Sequence, residues 1–454
     1  MIRDFDNYLK QWKDRPNRKP LIIRGARQVG KTYAVESFAS EHYEHFVKVN
    51  FEETPEVKEF FETNDVAKII RNLEIFYGKK IDKQNTLLFL DEIQACPSAI
   101  KTLRYFYEKL PALSVIAAGS LLDHALNKIN YSMPVGRVEF AYMHPMNFYE
   151  FLNAIDEKEV VEYLKRYELK DTVPEAIHNK ILELLRLYYF VGGMPEAVKV
   201  FAKTDSLTDV EIVHESIVRS LEYDFGKYGN RTEQDLLIKL LRYLPRSVGK
   251  KFKYTKAIEG ERTERIKRAL NLLRLSRIVH LVYSSTSSKI PLDSGVNEKL
   301  FKAIFLDIGL ANRIMHVRLL NIKQLITSNE GDLAEQFIGQ QLLASVPHYI
   351  DGQLYYWQRE RRNSEAEIDY VIEVNNEILP IEVKAGKTGR LKSLHLYMAE
   401  KGLDVAVRFN LDVPSVVDVK QRIITTSETK SAEYKLISLP LYLVQEVGRL
   451  AFAI

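Results

Sequence analysis

The sequence of 454 residues contains one cysteine, Cys96. A single thiol excludes an internal disulfide framework and any zinc site built from cysteines alone, which favours a reducing compartment. Long hydrophobic runs are also missing, because the longest nearly apolar stretch, residues 113–122, is far shorter than the roughly 20 residues that a membrane-spanning helix needs. The first residues are charged and lack the apolar core of a signal peptide. We therefore expect a cytoplasmic protein without membrane association.

The composition is typical of a globular chain, with 46% hydrophobic and 28% charged residues. At about 150 residues per domain, this length predicts roughly three domains. The net charge of +4 is unevenly distributed, since residues 250–289 hold eleven Lys or Arg against three Glu. This segment carries +8, so the rest of the chain sums to −4. Such a basic segment is a candidate contact for nucleic acid, and the alternative is a solvated helix face.

The first motif lies between a short apolar stretch, LIIR, and a helical stretch, YAVESFASEHY. It has the spacing GxxxxGKT of a phosphate-binding P-loop. Its two glycines let the backbone curl, so that N–H groups and the helix N-terminus surround phosphate oxygens. Lys31 is then placed to reach the β- and γ-phosphates, and the Thr32 hydroxyl to ligate Mg²⁺. The predicted nucleotide-binding residues, including one from the next motif, are Gly25, Ala26, Arg27, Gln28, Val29, Gly30, Lys31, Thr32 and Asp91.

A second apolar stretch, TLLFL, ends in Asp91 and Glu92. It predicts a buried parallel strand, from whose end Asp91 would hold Mg²⁺ while Glu92 orients or deprotonates the attacking water. The alternative for this acidic pair is a charge at a helix N-terminus. The stretch 113–122 predicts a third buried strand and makes Ser120 a candidate sensor of the γ-phosphate, or else a turn serine. Arg137 is a candidate arginine finger, and the alternative is a surface arginine before a strand.

These motifs together resemble a widespread prokaryotic family. The stretches that carry the resemblance are, in chain order, RGARQVGKT, LFLDEIQ, AAGS, GR at 136–137, HPMNFYEFL and GGMPEAV. Members of this family join an AAA-type P-loop ATPase domain, of the lineage that includes archaeal and STAND-like ATPases, to a C-terminal domain of unknown function. The resemblance implies ATP binding at residues 25–32 and Asp91, and it implies little about the biological role.

The middle of the chain is predicted to be mostly helical. Apolar residues recur at spacings of three and four from about residue 148 to residue 230, which predicts a helical lid or connector after the nucleotide domain. Residues 231–324 then follow the order helix, short helix, long basic helix and β-branched strand. This order is that of a winged helix, with the loop SSTSSK as its wing.

The long basic helix, residues 262–274, is the candidate DNA contact. Its apolar residues fall on one face, while Arg262, Arg265 and Arg268 lie together on another, where they would meet phosphates. The alternative is a winged helix that only packs between domains.

The C-terminal part places carboxylates on two predicted neighbouring strands, EAEIDYVIEV and ILPIEVKAG. Strand alternation puts Glu367 and Asp369 on one face of the first strand, and Glu382 and Lys384 on one face of the second. If the strands pair, Asp369 and Glu382 converge on one cation with Lys384 beside them. This pattern resembles the PD-(D/E)XK nuclease core, in which carboxylates bind Mg²⁺, the lysine orients or activates water, and Glu335 would add another acid. The alternative is a hairpin with solvated charges.

Combined, the motifs predict an α/β protein with a P-loop NTPase parallel sheet, a helical and winged-helix middle, and a C-terminal mixed α/β restriction-endonuclease-like core. The predicted domains are a P-loop AAA-type ATPase domain at 1–147, a helical lid or connector at 148–230, a winged-helix-like region at 231–324 and a PD-(D/E)XK nuclease-like domain at 325–454. We expect an ATP-binding, Mg²⁺-dependent ATPase that controls a nuclease-like, DNA-associated domain. The alternative is a STAND-like ATP-driven switch whose inactive nuclease fold binds a protein partner or another copy of the chain.

Overall fold

A computed structural model describes residues 1–119, 134–227, 230–317, 330–359, 366–385, 391–424 and 429–453. The chain divides into two compact units. The first unit comprises Met1–Pro145, Leu275–Ile278 and Val346–Asp351, and the second comprises the rest. Within the described ranges, no helix is long and apolar enough to cross a membrane.

The α-helices of the described residues are α1 (Asp4–Asp14), α2 (Lys31–His42), α3 (Val66–Tyr77), α4 (Pro97–Lys109), α5 (Phe148–Ala154), α6 (Lys158–Arg166), α7 (Glu175–Val191), α8 (Pro195–Thr204), α9 (Leu207–Asp224), α10 (Arg231–Tyr243), α11 (Tyr254–Ala257), α12 (Thr263–Leu275), α13 (Ile308–Ile314), α14 (Glu330–Ala344), α15 (Lys392–Lys401) and α16 (Val447–Ala451). The strands are β1 (Leu21–Arg24), β2 (His45–Asn50), β3 (Thr86–Asp91), β4 (Ser114–Ala118), β5 (Glu139–Tyr142), β6 (Val279–Ser285), β7 (Val296–Phe305), β8 (Tyr355–Gln358), β9 (Glu367–Val374), β10 (Glu377–Val383), β11 (Val405–Asn410), β12 (Ser415–Ile424) and β13 (Thr429–Pro440).

The first unit is built on a five-stranded sheet with the order β2-β3-β4-β1-β5. All of its neighbouring strands are parallel. Strands β3 and β4 are buried along their whole length, as continuous apolar runs in a parallel sheet should be. Because β4 lies between β1 and β3, the carboxyl end of the P-loop strand is separated from that of the acidic strand by one additional strand. The predicted P-loop parallel sheet is therefore confirmed.

The second unit contains an eight-stranded mixed sheet with the order β12-β13-β11-β10-β9-β8-β6-β7. Strands β8, β9 and β10 form an antiparallel meander, and β11 lies parallel to β10. The chain order here is α14, three strands, α15 and β11. A mixed α/β C-terminal sheet is thus confirmed.

Strands β6 and β7 belong to this same sheet, although they precede the predicted boundary at residues 324 and 325. β6 pairs in parallel with β8 through Tyr283 and Tyr355, and β7 forms the edge. The region predicted as winged helix therefore shares a sheet with the C-terminal region. The predicted division into four domains stays a prediction, and its third boundary crosses a continuous sheet.

Helices α10, α11 and α12 precede the β6–β7 hairpin, in the order predicted for residues 231–324. The apolar face of α12 is buried, as its spacing predicts. Its buried side chains are Ile266, Ala269, Leu270 and Leu273.

Candidate functional site

The P-loop connects β1 to α2 and ends at Gly30, which has φ 95° and serves as the N-cap of α2. This left-handed conformation favours glycine. Gly25 at the start of the loop lies against the Met143 backbone, where a Cβ would overlap the carbonyl oxygen. Both glycines are thus required by local geometry, and the N-terminus of α2 opens onto the loop.

Lys31 is buried against the same loop. Its ammonium donates to the carbonyl oxygens of Gly25, at 3.0 Å, and Ala26, at 2.7 Å. Burial lowers the pKa of Lys31 to about 8, although the carboxylates of Glu92 and Asp91 oppose this shift. A buried cation whose hydrogen bonds within the described part of the chain go to neutral carbonyls is electrostatically suited to a phosphate anion.

Thr32 and Asp91 meet at the carboxyl end of the sheet. The Thr32 hydroxyl donates to Asp91 Oδ2 at 3.2 Å, and Asp91 is only 4% exposed. Burial and the neighbouring Glu92 charge raise the pKa of Asp91, while Lys48, whose Nζ lies 3.6 Å from Oδ2, lowers it. The structure therefore brings together the predicted P-loop and acidic-strand residues.

Glu92 adopts a left-handed backbone conformation with φ 50° directly after β3. Its carboxylate accepts a hydrogen bond of 2.6 Å from Nε2 of Gln94. Gln94 in turn lies against Gly119, whose Cβ, if present, would overlap the Gln94 amide. Gln94 was not predicted as a site residue, and its position in the stretch LFLDEIQ was the only signal for it.

Two other residues were predicted for this domain, namely Arg137 and Ser120. Arg137 pairs with Glu108 of α4, with 2.8 Å between Nε and Oε1, and the Arg137 side chain is 44% exposed. Its role as an arginine finger stays a prediction. Ser120 lies outside the described residues, so its role as a sensor also stays a prediction.

The predicted C-terminal carboxylates surround a lysine, Lys302, that was not among the predicted site residues. The Lys302 ammonium lies 2.6 Å from Glu367, 3.1 Å from Glu335 and 3.5 Å from Asp369. Burial by itself would lower the pKa of Lys302, but the three carboxylates together hold it well above its usual value. Lys302 lies on β7, flanked by Phe301 and Ala303, and nothing in that stretch signals an inward ammonium.

Asp369, Glu382 and Lys384 of the predicted C-terminal site make further contacts. Asp369 Oδ2 accepts from the Val383 backbone N–H at 2.8 Å. Glu382 Oε1 lies 2.6 Å from Lys384 Nζ, and the other Glu382 oxygen is buried with no hydrogen-bond partner among the described residues. Burial, followed by the Asp369 charge, raises the pKa of Glu382 to about 7.

These contacts bear on the predicted Mg²⁺ ligands of the C-terminal domain. Glu335 and Asp369 are bound to Lys302, whereas Glu382 is bound to Lys384. Among the described residues, no three His, Cys, Asp or Glu side chains are grouped so as to hold a metal ion. The donor set as placed does not fit a divalent cation, and metal binding by these residues stays a prediction without structural support.

Ion pairs take up part of the positive charge of residues 250–289. Lys250 pairs with Asp332, and Lys251 pairs with Glu367. On α12, Arg265 makes two 3.0 Å contacts with Glu261. Arg262 and Arg268 are exposed. Of the three arginines of the predicted basic face, Arg265 is therefore engaged by Glu261, while Arg262 and Arg268 still face solvent.

The match to a known family agrees with the fold and the P-loop geometry of the first unit. Residues 17–152 match the AAA domain family. Together with the parallel sheet and the P-loop geometry, this match shows that the N-terminal part is an AAA-type P-loop ATPase domain. Residues 182–324 match a domain of unknown function (DUF8612), and residues 330–438 match another (DUF4143).

No curated protein matches the chain in sequence. Among solved structures, the Walker-type ATPase PABY2304 of Pyrococcus abyssi is 15% identical, with a TM-score of 0.44 over 68% of this chain and 94% of that one. The ORC1 protein of Aeropyrum pernix in complex with DNA is 11% identical, with a TM-score of 0.28 over 70% and 94%. AMPPCP-bound DnaA from Aquifex aeolicus is 15% identical, with a TM-score of 0.26 over 60% and 89%. TM-scores below 0.5 support neither a substrate nor a partner for this chain.

Proposed function

We propose that the protein binds and hydrolyses ATP with Mg²⁺, and that its nucleotide state controls the C-terminal domain. The observation that carries the first part is the contact between the Thr32 hydroxyl and the buried Asp91 carboxylate, beside an α-helix N-terminus and a buried lysine. Thr32 and Asp91 supply the oxygen ligands that Mg²⁺ prefers. Bound there, Mg²⁺ would neutralise charge on the β- and γ-phosphates.

The residues around the bound ATP then have separate roles. Lys31 leaves its carbonyl partners for the phosphates, where its charge is better compensated. Glu92 orients or deprotonates the attacking water, and the hydrogen bond from Gln94 fixes its carboxylate. The backbone N–H groups at the start of α2 hold phosphate oxygens in place.

Two substitutions test this assignment. Lys31→Ala should abolish tight ATP binding, because it removes the positive charge that contacts the β- and γ-phosphates. Glu92→Gln should keep ATP binding and stop hydrolysis, because the shape remains while the charge that acts on water is lost. Lys68→Ala, which removes an exposed lysine of α3, is the matched control. ATP affinity and phosphate release should be measured for all three, and wild-type turnover of Glu92→Gln would remove Glu92 from the mechanism.

For the second unit we infer a restriction-endonuclease-like core in residues 330–440. The chain order of its elements supports this inference, as does the antiparallel meander followed by a parallel strand. Two functions were predicted for such a core, namely nucleic-acid cleavage and a non-cutting platform that binds a protein. The position of Lys302 among Glu335, Glu367 and Asp369 favours the platform, in the manner of a STAND-like regulatory switch.

Incubation with DNA distinguishes these two functions. Purified protein should leave single- and double-stranded DNA intact in Mg²⁺ or Mn²⁺, with or without ATP. Cleavage that Lys384→Ala abolishes would instead establish the nuclease function.

DNA remains a candidate partner through α12, independently of cleavage. Replacing Arg262 and Arg268 by Gln should weaken DNA binding and flatten its salt dependence by about 0.9 log units for each lost phosphate contact. Arg265→Gln is the matched control, because that guanidinium is engaged by Glu261 and should contribute less. A salt slope that the double variant leaves unchanged would favour a helix that serves packing only.

A further inference from the structure

We propose that the Lys302 ammonium is the resident cation of the C-terminal carboxylate cluster and takes the position that a divalent metal would otherwise occupy. This inference deepens the platform proposal for the second unit and does not depend on ATP hydrolysis. Its central observation is the set of three contacts from one ammonium to Glu335, Glu367 and Asp369.

The number of N–H donors of the Lys302 ammonium matches the number of carboxylates around it. An ammonium has three N–H donors, and three carboxylates each lie within 3.5 Å of Lys302 Nζ. The face of the Tyr356 ring covers the same charge, with 5.5 Å from Nζ to the ring centroid. A buried ion is retained only when it is paired and hydrogen-bonded in this way.

The strand that carries Lys302 holds it in place. β7 pairs with β6 through Lys302 and Val282. The Lys302 side chain is only 5% exposed. Its neighbours Phe301 and Ala303 are also buried. The ammonium therefore reaches the cluster from an edge strand that is paired with β6, rather than from a loop that could withdraw.

A second cation at these carboxylates would be opposed by Lys302. Mg²⁺ needs oxygen ligands at about 2.0–2.1 Å, so an ion bound to Glu335 and Asp369 would lie within a few ångströms of Nζ. At that separation two positive charges in a partly desolvated site repel strongly. The backbone N–H of Val383 further engages the second oxygen of Asp369.

Formal charge gives the same result. With every group ionised, Glu335, Glu367, Asp369 and Glu382 face the three ammonium groups of Lys251, Lys302 and Lys384, which leaves one negative charge. Removal of Lys302 leaves two and also vacates the position between Glu335, Glu367 and Asp369, where a divalent cation would balance them. Deletion of Lys302 should consequently turn the cluster into a metal site that the wild-type protein lacks.

The test uses thermal melting of the nucleotide-free full-length chain with and without millimolar Mn²⁺. All variants carry Asp91→Asn, so that metal at the P-loop does not contribute. We expect no Mn²⁺-dependent shift of the melting temperature in the parent protein. Lys302→Gln should melt about 5 °C or more below the parent, because it leaves buried carboxylates unpaired, and Mn²⁺ should restore part of this loss.

Two controls locate the effect. Lys251→Gln removes a more exposed lysine from the same Glu367 carboxylate and should create no Mn²⁺ dependence. Adding Asp369→Asn to Lys302→Gln should abolish the Mn²⁺ shift. The inference is overturned if the parent shows a Mn²⁺ shift that Asp369→Asn removes, or if Lys302→Gln stays insensitive to Mn²⁺. If Lys302→Gln fails to fold, the parent and its Asp369→Asn variant still decide the matter.

Discussion

At the scale of single residues, the ATP site combines side chains with clear sequence signals and one without. Lys31, Thr32 and Asp91 stand at fixed positions relative to a strand end, so their neighbours in space follow from local spacing. Gln94 reaches Glu92 only because the chain turns sharply after β3, with Glu92 itself in a left-handed conformation. Turn geometry of this kind is not encoded in a residue spacing.

Gln94→Ala should lower kcat about tenfold or more while changing ATP affinity little. A hydrogen bond to a charged group contributes roughly 1.5–3 kcal/mol, and here it orients the carboxylate that acts on water. Gly119→Ala should act in the same direction, because a Cβ there would overlap the Gln94 amide. Steady-state ATPase kinetics and an equilibrium ATP titration would separate the two effects. A lowered affinity with unchanged kcat would contradict a positioning role.

His214 provides a pH-dependent prediction in the second unit. It is 2% exposed on α9, and its Nε2 lies 3.0 Å from the Val191 carbonyl oxygen. Burial lowers the pKa of His214 to about 4, and Arg313 adds to this shift. An unfolded histidine has a pKa near 6.5, so between these values the unfolded chain binds a proton that the folded chain does not. The free energy of unfolding should therefore fall as pH decreases from 6.5 to 4.

Linkage gives a loss of about 2 kcal/mol between pH 7 and pH 5 from this residue. His214→Gln retains an amide donor for Val191 without a titrating group, so its unfolding free energy should decline less over the same range. Denaturant unfolding at both pH values would measure the difference. Parallel pH profiles for the wild type and His214→Gln would rule out the contribution.

At the scale of elements, the GGMP stretch proves to be a tight junction between α7 and α8. The Gly193 N–H donates to Asp307 Oδ2 at 2.7 Å, and Asp307 also caps α13 through Leu310. A Cβ on Gly193 would overlap the Met146 carbonyl oxygen. Two glycines and a proline favour a turn here, but they do not indicate the buried carboxylate that holds it, because Asp307 lies far along the chain.

Gly193→Ala should accordingly destabilise the second unit by about 1–3 kcal/mol, the usual cost of overpacking. The matched control is Gly331→Ala in the first turn of α14, where a Cβ meets no atom of the other described residues within 4 Å, the helix's own backbone aside. That substitution should be neutral or stabilising, since alanine favours helix. Chemical denaturation of both variants gives the comparison, and equal stability would contradict the steric explanation.

At the scale of the whole molecule, the α/β class and the parallel sheet of the nucleotide domain could be predicted from runs of apolar residues and from the residues that end them. The extent of the second sheet did not, because pairing of β6 with β8 joins segments far apart in sequence. Hydrophobic alternation shows that a strand has a buried face, but not which strand lies beside it. The placement of Lys302 was missed for the same reason, since it depends on that pairing.

The shared sheet determines which fragments of the chain should fold. Residues 325–454 lack β6 and β7, and with them Lys302, so this fragment would expose the edge of β8 and leave the carboxylates of Glu335 and Asp369 unpaired. It would also lose the hydrogen bond of 3.1 Å from Gln341 to the Tyr188 hydroxyl. An exposed sheet edge favours aggregation.

Fragment 146–454 retains all of these partners and should melt in one cooperative transition. Fragment 231–454 keeps the eight strands but loses α5 to α9, including His178, which contacts the Tyr442 hydroxyl at 2.8 Å. It should therefore melt at a lower temperature. Fragment 325–454 should show no cooperative transition and should aggregate, which circular dichroism and size-exclusion chromatography would detect. A soluble 325–454 fragment that melts at the temperature of 146–454 would mean that β6, β7 and Lys302 contribute nothing to the stability of the C-terminal core.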